Sequence, residues 1–343
     1  MNRSRQSLIP WFFVMLLALA AAYYASLPRQ EKIEQRRPIL TLDQSKIAVI
    51  RMTAKDLKVE AIKKTAERWW ISYERSHPDG SAQTANLATP QTAAQKPVEK
   101  WSAESFLASS KFKDITAALA PFTAIRVIGT IDEKQRAEFG FTGDMKSFEV
   151  SAVDGAKLLA LDVGKSLYGS RNVYVLNRQD QNVYLVSGDW LADFEKPELR
   201  FYERALTSIP SEEIQAAVVS HSGKERRFTH TKREATGDLI WTPEDNQDAA
   251  VGVAGIWFAK FEQLKAALYA TEEREKDLAA QPVLFEVDLT GLGAVADKIQ
   301  IRKVVHAGQV EYWATSAFLG GHVKVASTRA ESLEREIGRL VGP

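Results

Sequence analysis

The chain consists largely of short runs in which apolar and polar residues alternate, separated by polar or glycine-containing turns and interrupted by a few stretches of helical spacing. Alternation of period two marks half-buried strands, whereas recurrence at three and four residues marks amphipathic helices. IAVIRMT, LKVEAIKK and RWWISYERS read as three consecutive strands in a meander. A helix is predicted over about 103–119, with Ser102 as N-cap, Phe106, Phe112, Ile115 and Leu119 on one face, and Pro121 beyond its end. SFEVSAV, AKLLALDVG, NVYVLNR and QNVYLVS continue as strands, with a turn at Asp180, Gln181 and Asn182. IQAAVVSH, RRFTHTK and DLIWT come next, then a predicted helix over about 256–269 carrying Trp257, Phe258, Phe261, Leu264 and Leu268. VLFEVDL, KIQIRKVV, VEYWATS and HVKVAS precede a last helix, where Thr328 and Glu331 have capping-box spacing and Leu333, Ile337, Leu340 and Val341 form the apolar face. Strands grouped as hairpins with interspersed helices indicate an α+β protein, its antiparallel sheets each covered by helix on one face.

The order of elements recurs, and so do some residues. A shift of 169 positions lays Ala48, Val49, Ile50, Lys55, Asp56, Lys63, Lys64, Ala66 and Ile71 on Ala217, Val218, Val219, Lys224, Glu225, Lys232, Arg233, Ala235 and Ile240. At a shift of 149, Phe112, Ile115, Ala117, Ala118 and Leu119 fall on Phe261, Leu264, Ala266, Ala267 and Leu268. Phe148-Glu149-Val150 matches Phe285-Glu286-Val287. Three blocks in one order predict a tandem duplication of a sheet-plus-helix unit, 41–209 and 210–343. The first unit is longer, and the Pro-, Ala-, Thr- and Gln-rich stretch 77–99 reads as a flexible insertion with too little apolar surface to offset its ordering entropy.

Ahead of both units, 8–27 is twenty residues without a charge. At roughly 1.5 Å per residue it spans the ~30 Å hydrocarbon core. Trp11 near one end, Tyr23 and Tyr24 near the other, and Pro10 in the first turn suit a spanning helix. The competing reading is a cleaved signal peptide, with Arg3 and Arg5 as its basic start and Ala20, Ala21 and Ala22 for a peptidase; the run exceeds the roughly 7 to 15 residues of a signal core. The expected layout is a cytoplasmic tail 1–7, a single-pass anchor 8–27 in a bacterial inner membrane, a juxtamembrane linker 28–40 and a periplasmic C-terminal domain. Flanking charge is nearly balanced, with Arg29, Lys32, Arg36 and Arg37 following the helix, so orientation rests on the short tail and long exported domain.

Composition narrows the chemistry. Lys plus Arg number 45 against 44 Asp plus Glu, which leaves no bulk positive field for nucleic acid. Without Cys there are no disulfides, thiolate nucleophiles or thiolate zinc sites. Gly164-Lys165-Ser166 fails as a phosphate loop, because Leu159 stands where its first glycine belongs, and it reads as a strand-end turn. Ser110 and Lys113 have S-x-x-K spacing but fall mid-helix in the predicted layout and lack a K-T-G partner. His77, His221, His230, His306 and His322 are scattered and read as polar-face residues, while Trp69, Trp70, Trp241, Trp257 and Trp313 read as core. No catalytic, cofactor-binding or metal-ligating residue is singled out, and no enzyme is expected.

RWWISYE, the FGF segment at Phe139 to Phe141, and the LDVGKS and NVYVLN strands behind an N-terminal anchor resemble the bacterial domain-of-unknown-function 4340 family over most of the chain. Members of that family are membrane-anchored and often encoded beside ABC-transporter permeases and gliding-motility-type auxiliary proteins. The resemblance implies a non-catalytic accessory subunit of an ABC-type transporter complex, with no catalytic residues to carry across. Such a subunit should show an exposed apolar or aromatic patch. The alternative, a ligand-binding module for an envelope polysaccharide or lipid between the two repeats, should show a concave pocket with convergent polar groups.

Overall fold

A computed structural model describes residues 37–65, 68–77, 100–232, 239–245, 252–306 and 308–342. The tail and anchor expected over 1–27, the linker as far as residue 36 and the insertion over 78–99 lie outside the described residues. Among the described residues no helix is long and apolar enough to cross a membrane.

The protein is α+β and all its sheets are antiparallel. Among the described residues the first half holds, in chain order, β1 (Arg37–Leu40), β2 (Ile47–Thr53), β3 (Leu57–Thr65), β4 (Arg68–His77), β5 (Lys100–Leu107), β6 (Phe122–Ala124), β7 (Arg126–Gly129), β8 (Lys146–Ala152), β9 (Lys157–Ser166), β10 (Asn172–Asn177) and β11 (Val183–Ser187). The second half holds β12 (Ile214–His221), β13 (Lys224–Lys232), β14 (Leu239–Pro243), β15 (Ala266–Tyr269), β16 (Val283–Gly291), β17 (Ala296–His306), β18 (Gln309–Thr315) and β19 (His322–Val325). One sheet has the order β5-β4-β3-β2-β8-β9-β10-β11-β7, the other β14-β13-β12-β16-β17-β18-β19-β15, and β1 pairs with β6 in a small ribbon. With β5 removed, the two large sheets have one strand order. The central register agrees as well, since Ile50 faces Val150 between β2 and β8 while Val219 faces Val287 between β12 and β16.

Helices cover one face of each sheet and bury its apolar positions. In the first half α1 (Phe112–Ala118), α3 (Asp189–Glu195) and α4 (Pro197–Arg200) do this, with Phe112, Phe194 and Phe201 in mutual edge contact and Phe148 of β8 against Trp190 and Phe194. Aromatic edge-to-face packing adds about 0.5–1.5 kcal/mol per pair beyond the area buried. In the second half α5 (Val253–Glu262) lies against α7 (Ser327–Leu340): Trp257 donates to the Leu333 carbonyl at 3.3 Å and Lys260 reaches Ser332 and Glu336. The opposite faces carry α2 (Glu133–Phe139) and α6 (Glu272–Ala279). Trp69, Trp241 and Trp257 sit in one core that runs without a break through both halves.

The halves are joined by a strand-like connector. Ser109 N–H donates to Phe201 O, Glu203 N–H to Leu107 O and Ala266 N–H to Arg204 O, which places the connector between the edge strands β5 and β15. Tyr269, Tyr202, Phe106 and Trp70 pack around it at ring separations of 4.9 to 6.5 Å.

Several predicted elements are corrected. Residues 103–107 are strand, not helix, and the helix is only Phe112–Ala118. Phe112, Ile115 and Leu119 have helical spacing, but all of Lys100–Leu107 pairs with Trp70–His77 of β4, and edge pairing outweighs a local pattern extended back to residue 103. The helix predicted to 269 likewise stops at Glu262, and Ala266–Tyr269 closes the second sheet beside β19. In the last helix Ala326 is the N-cap and no side chain caps it, so the Thr328–Glu331 box does not form; the box that does form is Asp132 with Gln135 at α2. Gly164 lies inside β9, not at a strand-end turn, and a Cβ there would overlap the Phe139 carbonyl oxygen and the Phe141 ring. The longer first half includes an entire edge strand, β5.

Candidate functional site

Among the described residues a cleft of about 730 Å³ opens where the two halves meet. Ligand pockets run to roughly 300–1,000 Å³. One wall comes from the start of β4 and the turn after β5, with Arg68, Ser109, Ser110 and Lys113; the connector supplies Glu203, Thr207 and Ser208; the other wall is Asp297 at the start of β17 and Phe318 after β18. Cations thus lie on the first-half wall, carboxylates on the connector and the far wall, and hydroxyls on both the first-half wall and the connector.

Local structure fixes these positions. Arg68 crosses the cleft, donating to the Ala317 carbonyl at 3.3 Å with its guanidinium 5.2 Å above the Phe318 ring. Glu203 accepts the Ala205 N–H at 2.7 Å, and Thr207 accepts the Ile209 N–H at 3.2 Å. The Ser316 hydroxyl donates to Leu206 O at 2.8 Å and ties the connector to the second sheet. No hydrogen bond within the protein engages the Ser109, Ser110 or Ser208 side chains among the described residues. Ser110 and Lys113 stand at the start of α1, not mid-helix: the Lys113 N–H donates to the Ser110 carbonyl at 3.0 Å and both face the cleft. Their spacing was legible; their place in a cleft was not.

Asp297 is only 7% exposed, and neither carboxylate oxygen has a hydrogen-bond partner. Burial raises its pKa; the Thr207 hydroxyl and the backbone N–H groups of Lys298, Phe318 and Ala317 pull the other way from outside bonding geometry and do not compensate. An unpaired buried carboxylate costs stability, and such groups concentrate at sites kept for a purpose other than packing. No sequence pattern marked Asp297, because nothing local distinguishes it from the other acidic residues.

The histidines behave individually. His221 Nδ1 meets Leu284 O at 2.8 Å, and His230 Nδ1 meets Ile214 O at 2.9 Å while its ring stacks on Trp241 at 4.3 Å. His322 departs from the polar-face expectation: it is buried beneath α6 with Nδ1 2.6 Å from the Glu275 carboxylate. Among the described residues no cluster of three or more His, Asp or Glu is arranged to hold a metal ion. Exposed large apolar side chains occur in both halves, among them Val305 across from Val310 and Val253 one turn from Ile256.

No curated protein and no solved structure matches the chain. One family description matches, Domain of unknown function (DUF4340), over residues 109–281, a span that begins on the cleft wall at Ser109, includes the connector and ends just before β16. With half of its length accounted for in this way, the chain belongs to the DUF4340 family.

Proposed function

We propose that this protein is a non-catalytic binding module, held at the bacterial inner membrane by residues 8–27 with its sheets in the periplasm, whose inter-half cleft takes a polar ligand of the envelope. The observation that carries this reading is the cleft itself: concave, of ligand size, lined by unengaged hydroxyls and bordered by charges of both signs. That is the signature of ligand binding, whereas a pure docking subunit needs an apolar patch. The setting is accessory service to an ABC-type, gliding-motility-like transporter; the uncharged run and the family's membrane-anchored character support it. Tandem duplication accounts for the shared strand order and for the matching Ile50–Val150 and Val219–Val287 registers.

The test uses full-length protein in mild detergent, screened by thermal shift against envelope saccharides and lipid headgroups, beside Ser208→Trp, which fills the cleft from an exposed position. A ligand that raises the melting temperature of the wild type but not of Ser208→Trp supports the reading. Equal shifts in both proteins would place the ligand elsewhere and end it. Co-purification of a permease and its ATPase with the full-length chain, lost on deleting 8–27, is the expected outcome for the transporter setting.

A further inference from the structure

The charges that line the cleft differ in whether the chain already matches them. Arg68 is held by the Ala317 carbonyl and the Phe318 ring, and Lys113 has a partner of its own within the chain. The carboxylates are less well matched. Asp297 lacks a hydrogen-bond partner on both oxygens although it is buried, and among the described residues no cation pairs with it; the neighbouring Lys298 turns instead to Glu286 and Asp288. Glu203 on the connector uses one oxygen for the Ala205 N–H and forms no ion pair among the described residues. A carboxylate withdrawn from water and left without a counter-charge projects its field into the adjoining cavity through a wall that screens it poorly. The four charged residues of the lining balance formally, yet the unmatched charge is negative.

A cation entering the cleft supplies what Asp297 lacks. Among the described residues no three carboxylates or histidines are grouped to hold a bare metal ion, so the charge arrives on an organic group. An ammonium brings three donors and no acceptor, which suits a lining of carboxylates and hydroxyls. We infer that the cleft recognises its ligand by a primary ammonium group, with Asp297 and Glu203 as its counter-charge and the Thr207 and Ser208 hydroxyls as further acceptors. This rests on the binding-module reading and adds to it the ligand's charge. Two envelope chemistries present such a group beside hydroxyls: a hexosamine whose amine is not acylated, and an ethanolamine headgroup.

The experiment titrates full-length protein in mild detergent, by calorimetry at low salt and near-neutral pH, with a glucosamine oligomer and with glycerophosphoethanolamine. Each is run beside its N-acetylated form, which removes the charge. The variants are Asp297→Asn and Glu203→Gln, isosteric changes at a buried and a half-buried position, with folding checked by circular dichroism and melting temperature. One amine should bind, its N-acetylated form about tenfold more weakly, and each variant should lose about tenfold for the amine alone, the equivalent of one charge interaction. Binding of the oligomer supports the assignment with a saccharide as source; binding of glycerophosphoethanolamine alone supports it with a lipid headgroup. Equal affinity of an amine and its acetylated form, unmoved in both variants, overturns the ammonium yet leaves the protein a binding module. A preference for the amine that persists in both variants places the charge elsewhere and overturns the assignment. If none of the four probes binds, the ammonium is overturned, while the reading beneath it is decided by the thermal-shift screen with Ser208→Trp.

Discussion

The two sheets share an order of strands but close their outward faces by opposite means. Over the first sheet α2 and the FGF segment seal an apolar cluster: Phe141, Leu176 and Val183 are buried, with Phe139 packed on Tyr174 at 4.7 Å. Over the second, α6 stands at the same point in the chain order but covers Trp313, Arg302 and His322, with Leu278 as its buried apolar contact. Glu275 of α6 accepts the His322 N–H and meets Nδ1 of the ring, and Arg302 donates to Gln281 O and to Gln300. One Arg302 nitrogen and His322 Nε2 remain buried without partners. An apolar closure is indifferent to protons, whereas an ionic one holds only while its charges persist.

The pKa directions express that difference. Burial pushes Glu275 up, but the His322 hydrogen bonds and the His322 and Arg302 charges outweigh it, so its pKa ends below the ordinary value. A carboxylate depressed on folding stabilises the protein above its unfolded pKa, near 4.5, and that contribution is lost as pH falls through the lower folded value. Asp297 has the reverse sign: raised on folding, it favours the native state below 3.8 and ceases to as pH rises through the folded value.

The comparison can be broken most forcefully at the apolar closure. Phe141→Ala should cost about 3 kcal/mol in urea unfolding, by loss of transfer energy and the cavity left behind, with one value from pH 4 to pH 8; a marked pH dependence would show that the first closure is not purely apolar. Glu275→Gln should cost about 2 kcal/mol at pH 7, as expected for hydrogen bonds to a charged group, and the difference from wild type should vanish in acid. A constant penalty across that range would remove the ionic closure from the account. The smallest expected effect is a gain: Asp297→Asn should stabilise by about 1 kcal/mol at neutral pH, the lower end for a buried group left unsatisfied, with the gain shrinking toward pH 4. Destabilisation instead would mean that the nearby N–H groups hold the carboxylate after all.

Much of the architecture was legible in the sequence. Each strand read from alternation is present, because a face set by period two follows from local geometry once one side is buried. The apparent repeat was less faithful in detail. Ile50 faces Ala61 whereas Val219 faces Arg226, so the second hairpin is four residues shorter and the ungapped match is out of step beyond the first strand. Phe112 opens one helix and Phe261 ends another, while Ala117 is helical and Ala266 is strand, so that block matches by composition and not by place. The cleft was foreseen only as a groove between the halves, without its residues.

By itself the sequence determined the α+β class, the alternating strands, the large aromatic residues of the core and the family, since these depend on neighbours a few positions apart. Tertiary structure alone decided that 100–107 and 266–269 are edge strands, that a connector links their edges, and that Asp297 and Lys113 line one cleft. Those relations join residues from 23 positions apart, as with His77 and Lys100, to 184 apart, as with Lys113 and Asp297, and their energies come from pairing and burial that no local pattern encodes.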